Sequence, residues 1–442
     1  MDARSAVRAI ERAGVVGAGG GAFPTHAKAA SSADTVIANG AECEPLLAAD
    51  TVVMTAAADR VLAGLALMAE AVGARRAIVA VKAENEGAVA SLSKAAGRSG
   101  VELLVLENVY PAGDEFLLVH AATGRVVPEG GLPTDVGVVV NNVTTLSQVA
   151  EAVEARPVTA RTVTARGEVD RPGNYSAPIG TPVADLLAAA GARPDATAVI
   201  LGGPMMGRLA EGPGEATTKA LGGVIVLRRS HRLVTRRAAS ESQVLRLARA
   251  ACCQCLACTE LCPRALLGHA LAPHRTVRAV QYATAASDAA GITSAFLCSE
   301  CGMCELFACP LEISPRRILA GLKAELRRRG ATNPHRRSDL RPDAVRAWRQ
   351  IPSARLTQRL GLAEYGERCE PGVAAVRPTR VTLRLDANAG TPPRPTVTVG
   401  HRVLEGDVVA EVPEGALGAR AHASVKGVVE SVSPEAVVIA AE

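Results

Sequence analysis

Two short cysteine runs constrain this 442-residue chain more than anything else in it. CCQCLACTELCPR starts at Cys252, and CSECGMCELFACP starts at Cys298. The first spaces Cys252, Cys255, Cys258 and Cys262 as C-x2-C-x2-C-x3-C-P. The second spaces Cys298, Cys301, Cys304 and Cys309 as C-x2-C-x2-C-x4-C-P. Three thiols two residues apart wrap one face of an iron–sulfur cube, and the fourth ligand must come from elsewhere. Proline after each fourth Cys (Pro263, Pro310) fixes φ, removes a donor and turns the chain away. Structural zinc usually takes two separated pairs, not triplets followed by Cys-Pro. Disulfides need an exported chain, and no export signal is evident.

In two-cluster ferredoxins the fourth Cys of each run serves the other cluster. The expected ligand sets are therefore crossed. Cys252, Cys255, Cys258 and Cys309 hold one [4Fe–4S] cluster, and Cys298, Cys301, Cys304 and Cys262 hold the other. Cys43, Cys253 and Cys369 are left over and read as small buried hydrophobes.

The rest of the chain reads as an α/β multidomain protein. Hydrophobic residues are 48% but aromatics only 2%, so the cores must be Ala, Val and Leu. A net charge of +5 with so few stacking aromatics argues against nucleic acid. MDARSAVRAIERAG lacks an apolar signal region, and no segment is long enough to span a bilayer. The expectation is a soluble, cytoplasmic protein.

Residues 1–155 alternate helical and strand-like patterns, as in a Rossmann-like parallel sheet, with one long helix over residues 50–73. Residues 156–235 read as a β-grasp-sized unit with an R-P-G-N hairpin turn. Residues 240–330 are helical around the cysteines. Residues 331–372, rich in Arg and Pro, read as a linker with one short helix. Residues 373–442 are all β.

GAGGGAFPTHAK, residues 17–28, is the second strong signal. Glycines let a backbone approach a ligand and present N–H groups to a phosphate, and Lys28 adds a point charge. NGAECEP (39–45), YPAGDE (110–115) and NNVTT (141–145) are further polar loops after apolar runs. Ligands of open α/β sheets sit at the carboxyl ends of strands, so one shared site is expected. GGPMMG (202–207) reads as a turn closing the β-grasp sheet. His269, His274 and His422 read as surface or capping residues, and Lys426 as structural.

These loops resemble the flavin loops of the NADH-binding subunit of respiratory complex I. GGPMMG and the paired cysteine runs resemble the RnfC component of Rnf electron-transport complexes. GEVDRPGNY resembles the SLBB β-grasp domain, and GHRVLEGDVVAEV with ARAHASVKGVV a barrel-sandwich domain. With that domain last, the whole chain is most similar to the cobalamin reductases of propanediol-utilisation microcompartments. The resemblance implies FMN and NADH in the first domain. Gly17, Gly19, Gly20 and Lys28 would hold the flavin phosphate, and Asn39, Asn142 and Thr144 would contact the flavin. Phe23 would stack on the nicotinamide or adenine, and Glu42 and Glu115 would line the NADH pocket. Ala41 and Cys43 depart from the complex I pattern, which has Asp and Gly there.

The implied chemistry is a wire from NADH to FMN to two clusters and on to a one-electron acceptor. The resemblance proposes the cobalt of cobalamin, inside a microcompartment, with an adenosyltransferase and a shell protein as possible partners. One rival is an RnfC-like protein feeding a partner iron–sulfur protein. The other is a binding module whose clusters only brace an interface; the intact flavin loops argue against it.

Overall fold

The structure, a computed structural model, describes residues 2–193, 197–212, 214–282, 289–366 and 372–442. Cys369 lies outside them. The first sheet is four-stranded and parallel, in the order Glu102–Leu106, Arg76–Lys82, Thr35–Gly40, Val138–Asn142. Its strands are apolar runs because both faces are covered. One face carries a core of Val61, Leu65, Met68 and Leu146; the other carries Leu118, Val119 and Val127. Strand order reverses between Thr35–Gly40 and Val138–Asn142, so the crevice at their carboxyl ends is the natural ligand site.

The expected long helix is two helices, Ala49–Ala56 and Ala58–Val72, bent by 94°. Ala57 breaks it at φ −134, ψ 33. The reason lies in packing. The first helix turns its N-terminus toward Glu42, while the second presses Gly64 onto the backbone of Leu146. No single helix among the described residues is long and apolar enough to cross a membrane.

The second sheet is six-stranded and mixed. Strands Ala160–Gly167 and Gly173–Pro178 form a hairpin, and Gly223–Arg228 runs parallel to the first of them. The helix Val183–Ala190 packs on this sheet around Val163, Leu186 and Val224. The cysteine region is short helices, with Glu241–Ala251, Pro273–Tyr282 and Pro315–Arg328 around it. At the C-terminus a four-stranded and a three-stranded sheet enclose Val381, Val409, Val429 and Ile439 as a sandwich; no closed barrel forms among the described residues.

Residues 331–372 are more than a tether. Arg337 pairs with the nearly fully buried Glu129 at 2.6 Å, and Ile351 pairs in antiparallel register with Tyr110. Helix Ser353–Arg359 then buries Leu356, with Leu360 and Leu362 beside it. Arg- and Pro-rich composition concealed these few apolar anchors.

A Cβ at Gly64 would stand 1.9 Å from the Leu146 carbonyl oxygen, a contact that backbone must yield to. Gly64→Ala should therefore cost about 2–3 kcal/mol despite the better helix propensity of Ala. A fall in the urea midpoint of the first domain checks this; an unchanged midpoint contradicts it.

Candidate functional site

The cavity at the crevice measures about 870 Å³. Gly17, Gly19, Gly20, Phe23, Lys28, Asn39, Glu42, Glu115 and Asn142 all line it. The Gly-rich loop is closed at its base by a bridge between Val16 and Pro24 and by Gly17 N–H to Phe23 O at 2.9 Å. Gly20 takes φ +103, which only glycine adopts easily. Phe23 is 37% exposed, so it is no core aromatic.

Around the floor the polar side chains hold one another. Asn142 caps helix Val143–Val153, its Oδ1 accepting from Thr144 N at 2.9 Å. Its Nδ2 donates to Asp50 Oδ2 at 2.6 Å, and Thr144 Oγ1 donates to Asp50 Oδ1 at 2.7 Å. Thr144 itself is buried behind the cavity wall. Asn39 Nδ2 donates to Gly113 O at 2.9 Å, and Lys28 is ion-paired with Glu115 at 3.0 Å. The two residues expected on separate ligand groups thus stand together, with Val140 O at 2.8 Å completing the Lys28 shell.

Glu42 caps the next helix. Its carboxylate accepts from Asp50 N at 2.8 Å and Thr51 N at 2.7 Å. Burial, and then the Asp50 charge, push it up to about 7 against those hydrogen bonds. Ala41 and Cys43, the two departures, fill the space under Gly113, and Cys43 Sγ accepts from Gly113 N at 2.8 Å. Glu44 is a staple. It accepts from Met205 N at 2.7 Å and Met206 N at 2.8 Å, so the GGPMMG turn both closes its hairpin and lines the cavity.

Sequence reasoning missed Asp50, Arg161 and Tyr110. Arg161 sits on a strand that reads as plain β, yet its buried guanidinium enters the cavity wall. Nη2 donates to Ala18 O at 2.9 Å, and Nη1 has no partner among the described residues. Its charge faces Asp50 and Glu42. No local signal marks this pairing, because it joins two domains.

On the cysteine side the two runs share one backbone pattern. Gln254 and Leu256 in the first loop, and Glu300 and Gly302 in the second, take left-handed φ of 56, 64, 60 and 79. Successive residues of alternating hand turn N–H groups inward, a nest for an anion such as a sulfide cluster. The extra residue between Cys304 and Cys309 is absorbed by a single π-helical turn, Met303–Ala308, where the first run has the short α-helix Ala257–Glu260.

The thiols fall into two groups. Cys258 is influenced by Cys309, Cys255 and Cys252, and Cys304 by Cys298, Cys301 and Cys262. Burial pushes Cys258 up to about 12 and Cys301 up to about 11. Among the described residues no three His, Cys, Asp or Glu side chains converge on a single ion. Cys253 is exposed, contrary to its expected burial, because its loop bulges to solvent; Cys43 is half-buried. His269 and His422 are buried rather than surface residues. His269 lies beside Phe116 and Arg264, and burial drives it down to about 4.

The two halves meet. Cys301 and Ser299 line the nucleotide cavity, and Tyr110 OH donates to Cys301 O at 2.6 Å. Arg264, two residues past Cys262, pairs with buried Asp114 at 3.0 Å and lies over the Phe116 ring. A phosphate-type glycine loop abutting eight grouped thiols defines a flavin and iron–sulfur electron-transfer oxidoreductase.

Comparison with known proteins agrees. Residues 10–151 match the Nuo51 FMN-binding domain, 162–209 the SLBB domain, 251–314 the 4Fe-4S dicluster domain, and 369–442 the RnfC barrel sandwich hybrid domain. A relative from Citrobacter freundii called cobalamin reductase PduS is 43% identical over 99% of this chain and 97% of its own. Its Salmonella typhimurium counterpart is 44% identical over 97% and 95%. A component of an ion-translocating oxidoreductase complex from Pseudomonas aeruginosa is 41% identical over 45% of this chain and 26% of its own. A NAD+-reducing [NiFe]-hydrogenase crystal structure shares the fold at a TM-score of 0.50, with 24% identity over 75% of this chain and 68% of that one. The chain belongs to the PduS cobalamin reductase family.

Because Glu42 binds its proton more tightly folded than unfolded, stability should fall as pH rises from 4.5 to about 7. Glu42→Gln should flatten that slope. Melting midpoints of both proteins across this window decide it; equal slopes place the titration elsewhere.

Proposed function

We propose that the chain oxidises NADH and delivers single electrons to cobalamin. The observation that carries this is the shared wall: residue Cys301 of the second cysteine run and the Gly-rich loop line the same cavity. FMN held there would supply a centre that accepts electrons in pairs and releases them singly, and cubanes held by the thiols would supply one-electron carriers.

The residues fit those groups. Gly17, Gly19 and Gly20 would receive the flavin phosphate at the N-terminus of helix Val143–Val153, whose first turn carries Asn142 and Thr144. Lys28, expected on the phosphate, is held instead by Glu115 and the Val140 carbonyl, and would face the flavin ring with Asn39. Phe23, exposed at the rim, would cover the nicotinamide or adenine, and Glu42 would shape the NADH side through the helix it caps. Tyr110 fixes the Cys301 backbone against this cavity. The set Cys298, Cys301, Cys304 and Cys262 would therefore hold the flavin-side cluster, and Cys252, Cys255, Cys258 and Cys309 the outer one.

Cys255 of the outer group, exposed together with its neighbour Cys253, favours a second outlet toward a partner protein. An adenosyltransferase or a shell component of a cytoplasmic microcompartment has the right place in such a pathway.

Ferricyanide is small and takes electrons at the flavin, whereas the corrinoid is fed by a cluster. Cys301→Ala should thus keep most NADH–ferricyanide activity and lose most cobalamin reduction. Both assays run anaerobically on preparations matched for FMN content. Cobalamin reduction that survives the substitution shows instead that the flavin reduces cobalt directly.

A further inference from the structure

A second cavity, of about 310 Å³, lies on the far side of Tyr110 and Pro111, which line both cavities. One wall is Leu104, Leu106 and Val109 from the edge of the first sheet. The opposite wall is Leu261 and Pro263, which flank Cys262, and Met303, which precedes Cys304. The cavity is an apolar slot between the nucleotide domain and the flavin-side thiols, and nothing in the path from NADH to the clusters uses it.

Glu107, Arg346, Ala347, Arg349 and Gln350 complete the lining, and Trp348 lies just outside it. Arg349 is held by Glu260 at 3.7 Å. Arg346 is half-buried and forms no ion pair among the described residues; Glu107 is the carboxylate whose field it feels, and His120 faces it as a second base. Between the arginines Trp348, the single tryptophan of the chain, stands 82% exposed. An apolar slot with an unpaired guanidinium in its lining fits a flat apolar group joined to a monoanion. The slot is at the small end of ligand sites and far too small for a corrin ring.

We propose that this cavity receives the nucleotide tail of cobalamin, with the dimethylbenzimidazole base in the slot, the phosphodiester at Arg346, and the corrin ring outside the slot, near the exposed Trp348. The proposal rests on cobalamin being the acceptor. It also supplies chemistry. Holding the base in the slot breaks its Co–N bond, so cobalt(II) loses its lower axial donor. Cobalt(I), the product of one-electron reduction, takes no axial ligand, so the bound form would already be arranged for reduction. The electron derives from NADH, and no other reactant is needed.

The test is anaerobic EPR of cob(II)alamin added to oxidised holoprotein. Bound cobalt should lose the nitrogen splitting that the coordinated base gives, and Trp348 emission should fall on binding. Cobinamide, which lacks the nucleotide tail, should bind about tenfold or more weakly, as expected for a lost charge-assisted contact. Arg346→Gln should weaken cobalamin by a similar factor, restore the splitting, and leave cobinamide affinity and NADH–ferricyanide activity unchanged. Arg346→Lys should recover part of the effect. Retained splitting in bound cob(II)alamin, or equal affinity for both corrinoids, overturns the site while NADH-driven reduction of both persists. Failure of wild-type protein to reduce either corrinoid overturns the acceptor reading itself, and the site with it.

Discussion

The grouping of each run's fourth thiol with the other run, Cys309 beside Cys252, Cys255 and Cys258 and Cys262 beside Cys298, Cys301 and Cys304, is the constraint on which the rest depends. Cys309 lies in one core with Cys252, Val244, Ile313 and Ile318; Cys262 lies in another with Cys298, Leu271, Leu297 and Leu319. Neither loop is therefore an independent hairpin. Each needs the other's last turn, and the long helices are placed to hold both. Burial pushes the Cys258 thiol up to about 12 and the Cys301 thiol up to about 11 in the bare polypeptide. Iron would have to displace those protons, which would couple completion of this region to cluster insertion.

That region is useful because of where it is clamped. Arg264 pairs with Asp114, Arg316 with the buried Glu305 at 2.8 Å, and Tyr110 with the Cys301 carbonyl. Buried charge pairs add little net stability but are costly to break, so they fix register more than they strengthen the fold. The outcome is a junction where the nucleotide cavity, the flavin-side thiols and the smaller apolar cavity share walls. Electron transfer needs no covalent contact between stations, only that they stay close and fixed.

The architecture was largely legible in the sequence because its signals are local. Cysteine spacing, glycine loops and strand-like apolar runs each report their own neighbourhood. Even the one-residue difference between the two runs is visible as x3 against x4, though its absorption into a π-turn is not. What was illegible is long-range. The break at Ala57 follows from two helices serving different partners. The Lys28–Glu115 pair joins positions 28 and 115, and Arg161 meets the cavity across a domain boundary. The segment 331–372 looked like a solvated linker because a few apolar anchors, Ile351 and Leu356 among them, are enough to pin a charged chain.

The central claim is the crossed pair of clusters, and cluster-resolved EPR on dithionite-reduced protein tests it most directly. Wild type should carry about eight irons, as two four-iron cubanes require. Cys309→Ala should lose the same signal that Cys255→Ala loses, and keep the one that Cys301→Ala loses. Cys262→Ala should do the reverse. If Cys309→Ala instead matches Cys301→Ala, each run holds its own cluster, and the account of how the two halves are joined is wrong.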